Sequence, residues 1–406
     1  MSTVDVVNLA DAKGVQTVRA KRAVYATFVA HGIAFSTWVS RVPSVRDALG
    51  ISAAQLGTLL LALAVGGLVV LPFSGRLVAA FGSRRVVVAG PSLMAAGLLV
   101  VAFGLPAGPA VVAVGLFLAG VGHSTWDIAM NVQATAVERR LARPLMPRFH
   151  SSFSIGAAIG SGLAALLVAA GTGVALHLIA VMAVVVVAAP LVARMFVPDG
   201  TEDGAVVSST NAGRRWSAWR EPRTLMIGVL VFAFAFAESV GNDWLSVGVI
   251  DGHKVSEASG TTAFWLFTVA MTIGRFCGPF VIEKWGRAKA PLVFGGLTVV
   301  GVVLVAFGGS FVVSLIGAVV WGLGIALGLP LGISAAGDDP ARAAARLSVV
   351  MSIAYVAFLA EPLAVGYIAD ATGTTKALSV AAALTAVGLC FTPSLRRESR
   401  TTESEG

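Results

Sequence analysis

The chain has 406 residues, of which 57% are hydrophobic and 12% charged, and its mean hydropathy is +0.87. Soluble domains are about half apolar and a quarter charged, so the composition excludes a soluble globular enzyme and points to a protein that crosses the bilayer many times. The formal net charge of +8 reads as basic residues on the loops of one membrane face rather than as a nucleic-acid surface, and the two cysteines, Cys277 and Cys390, lie in apolar runs and imply neither a disulfide framework nor a metal site.

Residues 1–22 are polar and end in Arg19, Lys21 and Arg22, and they read as a tail. The apolar run behind them is too long for a signal-peptide core, and no small-residue cleavage site follows it. Twelve runs long enough to span a bilayer are expected, at roughly 23–41, 53–73, 86–104, 109–135, 150–170, 174–196, 223–248, 259–282, 290–308, 311–335, 347–369 and 375–393. Short connections rich in Gly and Pro separate them. The longest polar interruption leaves six runs on each side. The expected organisation is a tail (1–22), a six-helix bundle (23–196), a linker (197–222), a second six-helix bundle (223–393) and a closing tail (394–406). With the first residue inside, 24 of the 29 Lys and Arg residues fall on cytoplasmic segments, and Arg41, Arg46, Lys254 and Lys376 fall on outer loops. This bias places both termini in the cytoplasm.

The halves repeat. Phe81-Gly82 recurs as Trp285-Gly286, Gly115, Gly120 and Gly122 recur as Gly317, Gly322 and Gly324, and Trp38 and Ser40 recur as Trp244 and Ser246. Both halves start on the same side, so the repeat is parallel, related by an axis along the membrane normal, as in one large class of transporters. The expected fold is all-α: twelve transmembrane helices in two pseudo-symmetric six-helix bundles.

The fourth run contains GVGHSTWDIAMN, residues 120–131. His123, Asp127 and Asn131 are four apart and share a helix face. An ionisable group in a spanning helix is costly and faces a cavity or the bundle interior. Burial disfavours the charged form of a carboxyl, so Asp127 is the first candidate to load and release a proton. Asn131 either binds substrate hydroxyls or holds Asp127. In the seventh run Glu238 and Asp243 are five apart and diverge by about 140° around the helix, so they are not expected to face one spot. Glu238, the deeper, is assigned to proton or substrate contact. Asp243, near the outer end, is assigned to an extracellular gate with Arg41.

His31, Phe35 and Trp38 form one stripe along the first run. His31 and Trp38, together with Trp244, are candidates for the wall of a substrate cavity, where a sugar ring stacks on aromatics. Arg275, inside the eighth run, is assigned to a latch at the following turn, and Glu361, just before Pro362, to substrate contact. His150 reads as a packing or capping residue. No Walker loop, HExxH or cysteine cluster occurs, so neither ATP hydrolysis, metal, cofactor nor enzymatic chemistry is expected.

Between the second and third runs the sequence reads GRLVAAFGSRR, residues 75–85. This resembles the signature loop of the major facilitator superfamily. Gly75, Gly82, Arg84 and Arg85 match it, while Ala79 and Ala80 stand at its acid and base positions. The second copy, PFVIEKWGRAK (279–289), keeps Glu283, Lys284, Gly286 and Lys289. In that family the loop latches helices on the cytoplasmic side, and the resemblance implies this role for Gly75, Gly82, Arg84, Arg85, Glu283 and Gly286. Further stretches are similar to the fucose-permease-like branch: SRVPSVRDALGISAAQLG (40–57), the Asp127 and Asn131 pair, FHSSFSIG (149–156), ESVGNDW (238–244) and EPLAVGYIAD (361–370). In that branch a fourth-helix acid carries the coupled proton, and Asp127 stands at the matching position. The fourth run lacks the Arg, and the fifth lacks the Gly-Pro pair, of drug antiporters.

The sequence therefore reads as a secondary transporter of the plasma (inner) membrane, taking up a small polar solute such as a sugar with protons. Its expected partners are that small-molecule substrate, protons as the coupling ion and the lipid bilayer, and it is expected to act as a monomer. Two alternatives stand beside this: proton-driven efflux of a metabolite or drug, and a ligand-binding membrane sensor.

Overall fold

The structure, a computed structural model, describes residues 3–143, 145–198, 217–339 and 342–396, with the side chains of 3–14 and 288 outside the description. Among these residues twelve helices alternate across the membrane. The first half holds α1 (Thr3–Val39), α2 (Ala53–Phe81), α3 (Ser83–Ala107), α4 (Pro109–Leu141), α5 (Met146–Ala169) and α6 (Val174–Ala193). The second holds α7 (Pro222–His253), α8 (Glu257–Arg287), α9 (Lys289–Phe307), α10 (Phe311–Ala336), α11 (Ala343–Thr372) and α12 (Thr374–Leu389). Helices satisfy every backbone group internally, which hydrocarbon requires. Polar residues set their ends. Ser52 opens α2 with a reciprocal capping box to Gln55, and Ser256 and Ser310 cap α8 and α10.

The most of the linker, residues 199–216, lies outside the described residues. The face on which its two ends emerge is the linker face, and the other is the far face. A short helix, Val42–Leu49, joins α1 to α2 on the far face.

Two boundaries differ from the expected runs in an informative way. α1 reaches back to Thr3, through the segment read as a tail. The family's signature loop is mostly helix: α2 continues to Phe81, α3 begins at Ser83, and the turn is Gly82 alone, at φ +76°. Gly286 makes the same turn between α8 and α9 at φ +77°. A side chain is strained in that backbone region, and glycine is not.

The repeat is built into the packing. Gly115 of α4 lies against α3, where an added Cβ would sit 2.8 Å from the Gly97 carbonyl oxygen. Gly317 of α10 lies against α9, where the same Cβ would sit 2.8 Å from the Gly301 oxygen. Small residues let membrane helices approach to backbone contact, and here they fix the same helix pairs in each half. Between the halves, α2 packs on α11 and α5 on α8.

Gly317→Ala should therefore lower stability by about 1–3 kcal/mol through overpacking. Gly296→Ala, whose Cβ would meet nothing within 4 Å, should stay within about 0.5 kcal/mol of the parent. Thermal unfolding of the two purified variants checks this, and equal loss in both would contradict it.

Candidate functional site

A cavity of about 310 Å³ lies between the two halves near the middle of the membrane. Asp127 and His123 of α4 line it, with Glu238, Ser239, Asn242 and Asp243 of α7 opposite. Its aromatic surface comes from Phe35, Phe153, Phe264, Tyr355 and Phe358.

Asp127 lies near the middle of the 33-residue α4. Asn131, one turn on, donates from Nδ2 to Asp127 Oδ1 at 3.2 Å and to the Asp127 carbonyl oxygen at 2.9 Å. Asn131 is not in the cavity wall; its amide holds Asp127, one of the two roles the sequence left open. His31 also stands behind the wall. It is 2% exposed, and its Nε2 is 2.9 Å from Nδ1 of His123, which does face the cavity. The two imidazoles stack at 4.3 Å between centroids.

Glu238 is paired. Arg275 Nη2 donates to its Oε1 at 2.8 Å, while Arg275 Nη1 donates to Ser154 Oγ at 2.7 Å. Arg275 was expected at the α8–α9 latch. It sits three turns before Gly286, too deep to reach that turn, and bridges α8 to α7 and α5 instead.

The sequence separated Glu238 from Asp243, yet both line the cavity. Five residues rise about 7.5 Å along a helix, and the cavity spans that height. Nor is Asp243 at a helix end, because α7 continues ten residues further, to His253. Its neighbour is the Glu361 carboxyl, not Arg41. Glu361 is fully buried behind the wall and accepts a hydrogen bond from Ser239 Oγ to Oε2 at 3.0 Å. It therefore does not line the cavity in this state. Trp38 and Trp244 are 2% and 0% exposed and are wall packing, so the stacking surface expected from them falls to the phenylalanines and Tyr355.

The far face is closed by bonds between the halves. Arg46 grips Asp251 with two bonds, of 2.7 and 2.8 Å, and Thr374 Oγ1 donates to the same carboxylate at 2.6 Å. Ser52 Oγ and the Ala53 amide donate to Asp370 at 2.8 and 2.9 Å. Arg41 donates to His177 and to the Thr172 carbonyl oxygen, and stands 3.7 Å from Glu257, which also binds Ser44. The expected Arg41–Asp243 gate is replaced by these pairs. The sequence signal for them was the basic SRVPSVRD segment set against acids at 251, 257 and 370. Deeper, α5 meets α8 through Ser161–Thr268 and through Ser154, which binds Arg275 and Thr272.

On the linker face, Arg84 donates to the Phe196 carbonyl oxygen. Gln133, unremarked in the sequence, donates to Ser83 Oγ at 2.7 Å and to the Val197 oxygen at 3.0 Å. Gly75 lies within the helical end of α2, and Arg85 and Glu283 are exposed. The second-half latch is formed by Arg287 rather than Glu283: Arg287 and Arg223 donate to Asp338 at 2.5 and 2.9 Å. Burial works against charge on Asp338, but these two arginines outweigh it and hold the carboxyl below its usual range.

Together these features define a multi-pass, all-helical membrane protein with a polar cavity between its two halves. Residues 24–359 match the sequence family Major Facilitator Superfamily. The chain is 30% identical over 354 residues to an uncharacterized transporter of Sinorhizobium fredii, covering 86% of this chain and 91% of that one. It is 28% identical over 369 residues to the membrane protein MosC of Rhizobium meliloti, covering 91% and 88%. Among solved structures it resembles the nucleoside transporter NupG, with TM-score 0.76, 12% identity and coverage of 93% or more of each chain. It also resembles the E. coli fucose:proton symporter FucP, with TM-score 0.63, 16% identity and 93% and 98% coverage. At these identities the structures share the fold. The chain belongs to the major facilitator superfamily.

Removing one partner of a half-buried ion pair, each side chain here 18% exposed, leaves the other partly uncompensated. Arg275→Gln should cost about 1–3 kcal/mol, and the double variant Glu238→Gln/Arg275→Gln should recover most of it. Denaturation of the three proteins tests this, and a double variant no more stable than Arg275→Gln would contradict it.

Proposed function

We propose that this protein is a proton-coupled secondary transporter that takes up a small polar solute, such as a sugar, by alternating access, and that Asp127 carries the coupled proton. One observation carries the reading. Asp127, near the middle of its helix, faces a cavity between the two halves, with a neutral amide as its hydrogen-bond partner. Glu238, by contrast, is held by Arg275. Asp127 and Asp243 both face the cavity without a cationic partner; Asp243 has a second carboxyl, Glu361, at its side, so Asp127 is the one whose charge answers to the cavity alone. Glu238 enters the cycle when its pair opens.

The basic residues favour the linker face as cytoplasmic, with both termini there, in the plasma (inner) membrane. The Arg46–Asp251 and Asp370 contacts then close the outer face.

The test is transport into proteoliposomes of labelled sugars under an imposed pH gradient. The wild type should accumulate solute on the side the gradient favours. Asp127→Asn should lose accumulation while still exchanging solute across the membrane. Transport indifferent to the gradient would contradict the proton reading, and outward pumping would replace uptake by efflux.

A further inference from the structure

We infer that the transported solute bears a protonated amine, and that Asp243, backed by Glu361, is where the ammonium binds. The inference rests on the transporter reading above and narrows its substrate.

The cavity's charge is unbalanced. Asp127, Glu238 and Asp243 line it, and no Lys or Arg does. The nearby arginine, Arg275, is taken up by Glu238 and Ser154. Asp243 lies against Glu361 in the seam between α7 and α11. Glu361 is 0% exposed, and Ser239 serves one of its oxygens. The other, Oε1, is buried beside the Asp243 carboxyl and the Trp244 indole, and meets no donor at full hydrogen-bond geometry. Two adjoining carboxyls are tolerated when they share a proton or when a cation sits with them. A neutral sugar would leave this seam to the proton alone. An ammonium at Asp243 answers it, with three donors and a charge.

The surroundings suit such a group. Asn242 offers an amide oxygen, and Phe264, Tyr355 and Phe358 line the same cavity, where aromatic faces attract a cation. The other ionisable groups that face this end of the cavity are Glu238 with its Arg275, Asp127 and His123 on α4, and Tyr355 on α11. His31 lies behind His123. None of these places a free positive charge beside Asp243. The amine and the proton therefore compete for one seam, and apparent affinity falls as the medium is acidified.

The experiment is a thermal-shift titration of the purified full-length protein in detergent, with no membrane gradient. The probes are glucosamine and glucose, which differ by an amine for a hydroxyl, and tetramethylammonium as a minimal cation. Glucosamine should stabilise and glucose should not. Asp243→Asn and Glu361→Gln should each weaken glucosamine binding at least about tenfold, which corresponds to 1.4 kcal/mol, and Asp243→Glu should restore part of it. Should a variant fail to fold, the wild-type contrast between glucosamine and glucose decides alone. Equal stabilisation by glucose, no stabilisation by either cation, or glucosamine binding unchanged in both variants would overturn the inference. Because no gradient is present, loss of proton coupling in vesicles leaves this result standing, and the converse also holds.

Discussion

A carboxylate in the middle of a bilayer must be given a cation, a proton or water. This chain meets that requirement in three ways within one cavity. Glu238 has Arg275. Asp127 has only the neutral Asn131 amide as its hydrogen-bond partner, and faces the cavity. Asp243 has another carboxyl, Glu361, at its side. The first arrangement fixes a charge and ties α5, α7 and α8 together. The second leaves a carboxyl in the cavity wall with no fixed countercharge. The third is satisfied by a shared proton or by a cation.

The scaffold makes such groups useful by keeping each half stiff and the seam between them polar. Backbone-close contacts at Gly115 and Gly317 bind helix pairs inside the halves. Across the far face the halves meet through Arg46, Asp251, Thr374, Ser52 and Asp370, all hydrogen-bonded pairs. Polar contacts at an edge exchange for water at small net cost, whereas a packed apolar core does not open. Rocking of one bundle against the other therefore breaks the seam and leaves the bundles intact.

Much of this could be read from the chain itself. Apolar runs gave the helices, the glycine offsets gave the repeat, and spacing by four placed Asp127 with His123 and Asn131 on one face. What escaped depended on packing between distant segments. Arg275 and Glu238 are 37 residues apart, and nothing local says that α8 delivers one to the other. The depth of Asp243 was misjudged because the apolar run was ended just before the polar residues 251–254, while the helix itself continued to His253. Trp38 and Trp244 sit on the right helices, but a small rotation decides whether an aromatic faces a cavity or a neighbouring helix. The far-face pairs were missed because they join the α1–α2 connection to the ends of helices 205 or more residues away, and Glu283 was favoured over Arg287 because the family pattern, rather than the geometry, named it.

The claim at the centre of this account is that protonation of Asp127 governs which face is open. Spin labels at Ala48 and Lys254, one on each half at the far face and both exposed, measure it directly by pulsed dipolar spectroscopy. The account predicts a distance distribution that shifts between acidic and neutral medium in the wild type and is frozen in Asp127→Asn. A wild-type distribution indifferent to pH, or one that shifts equally in the variant, would contradict it.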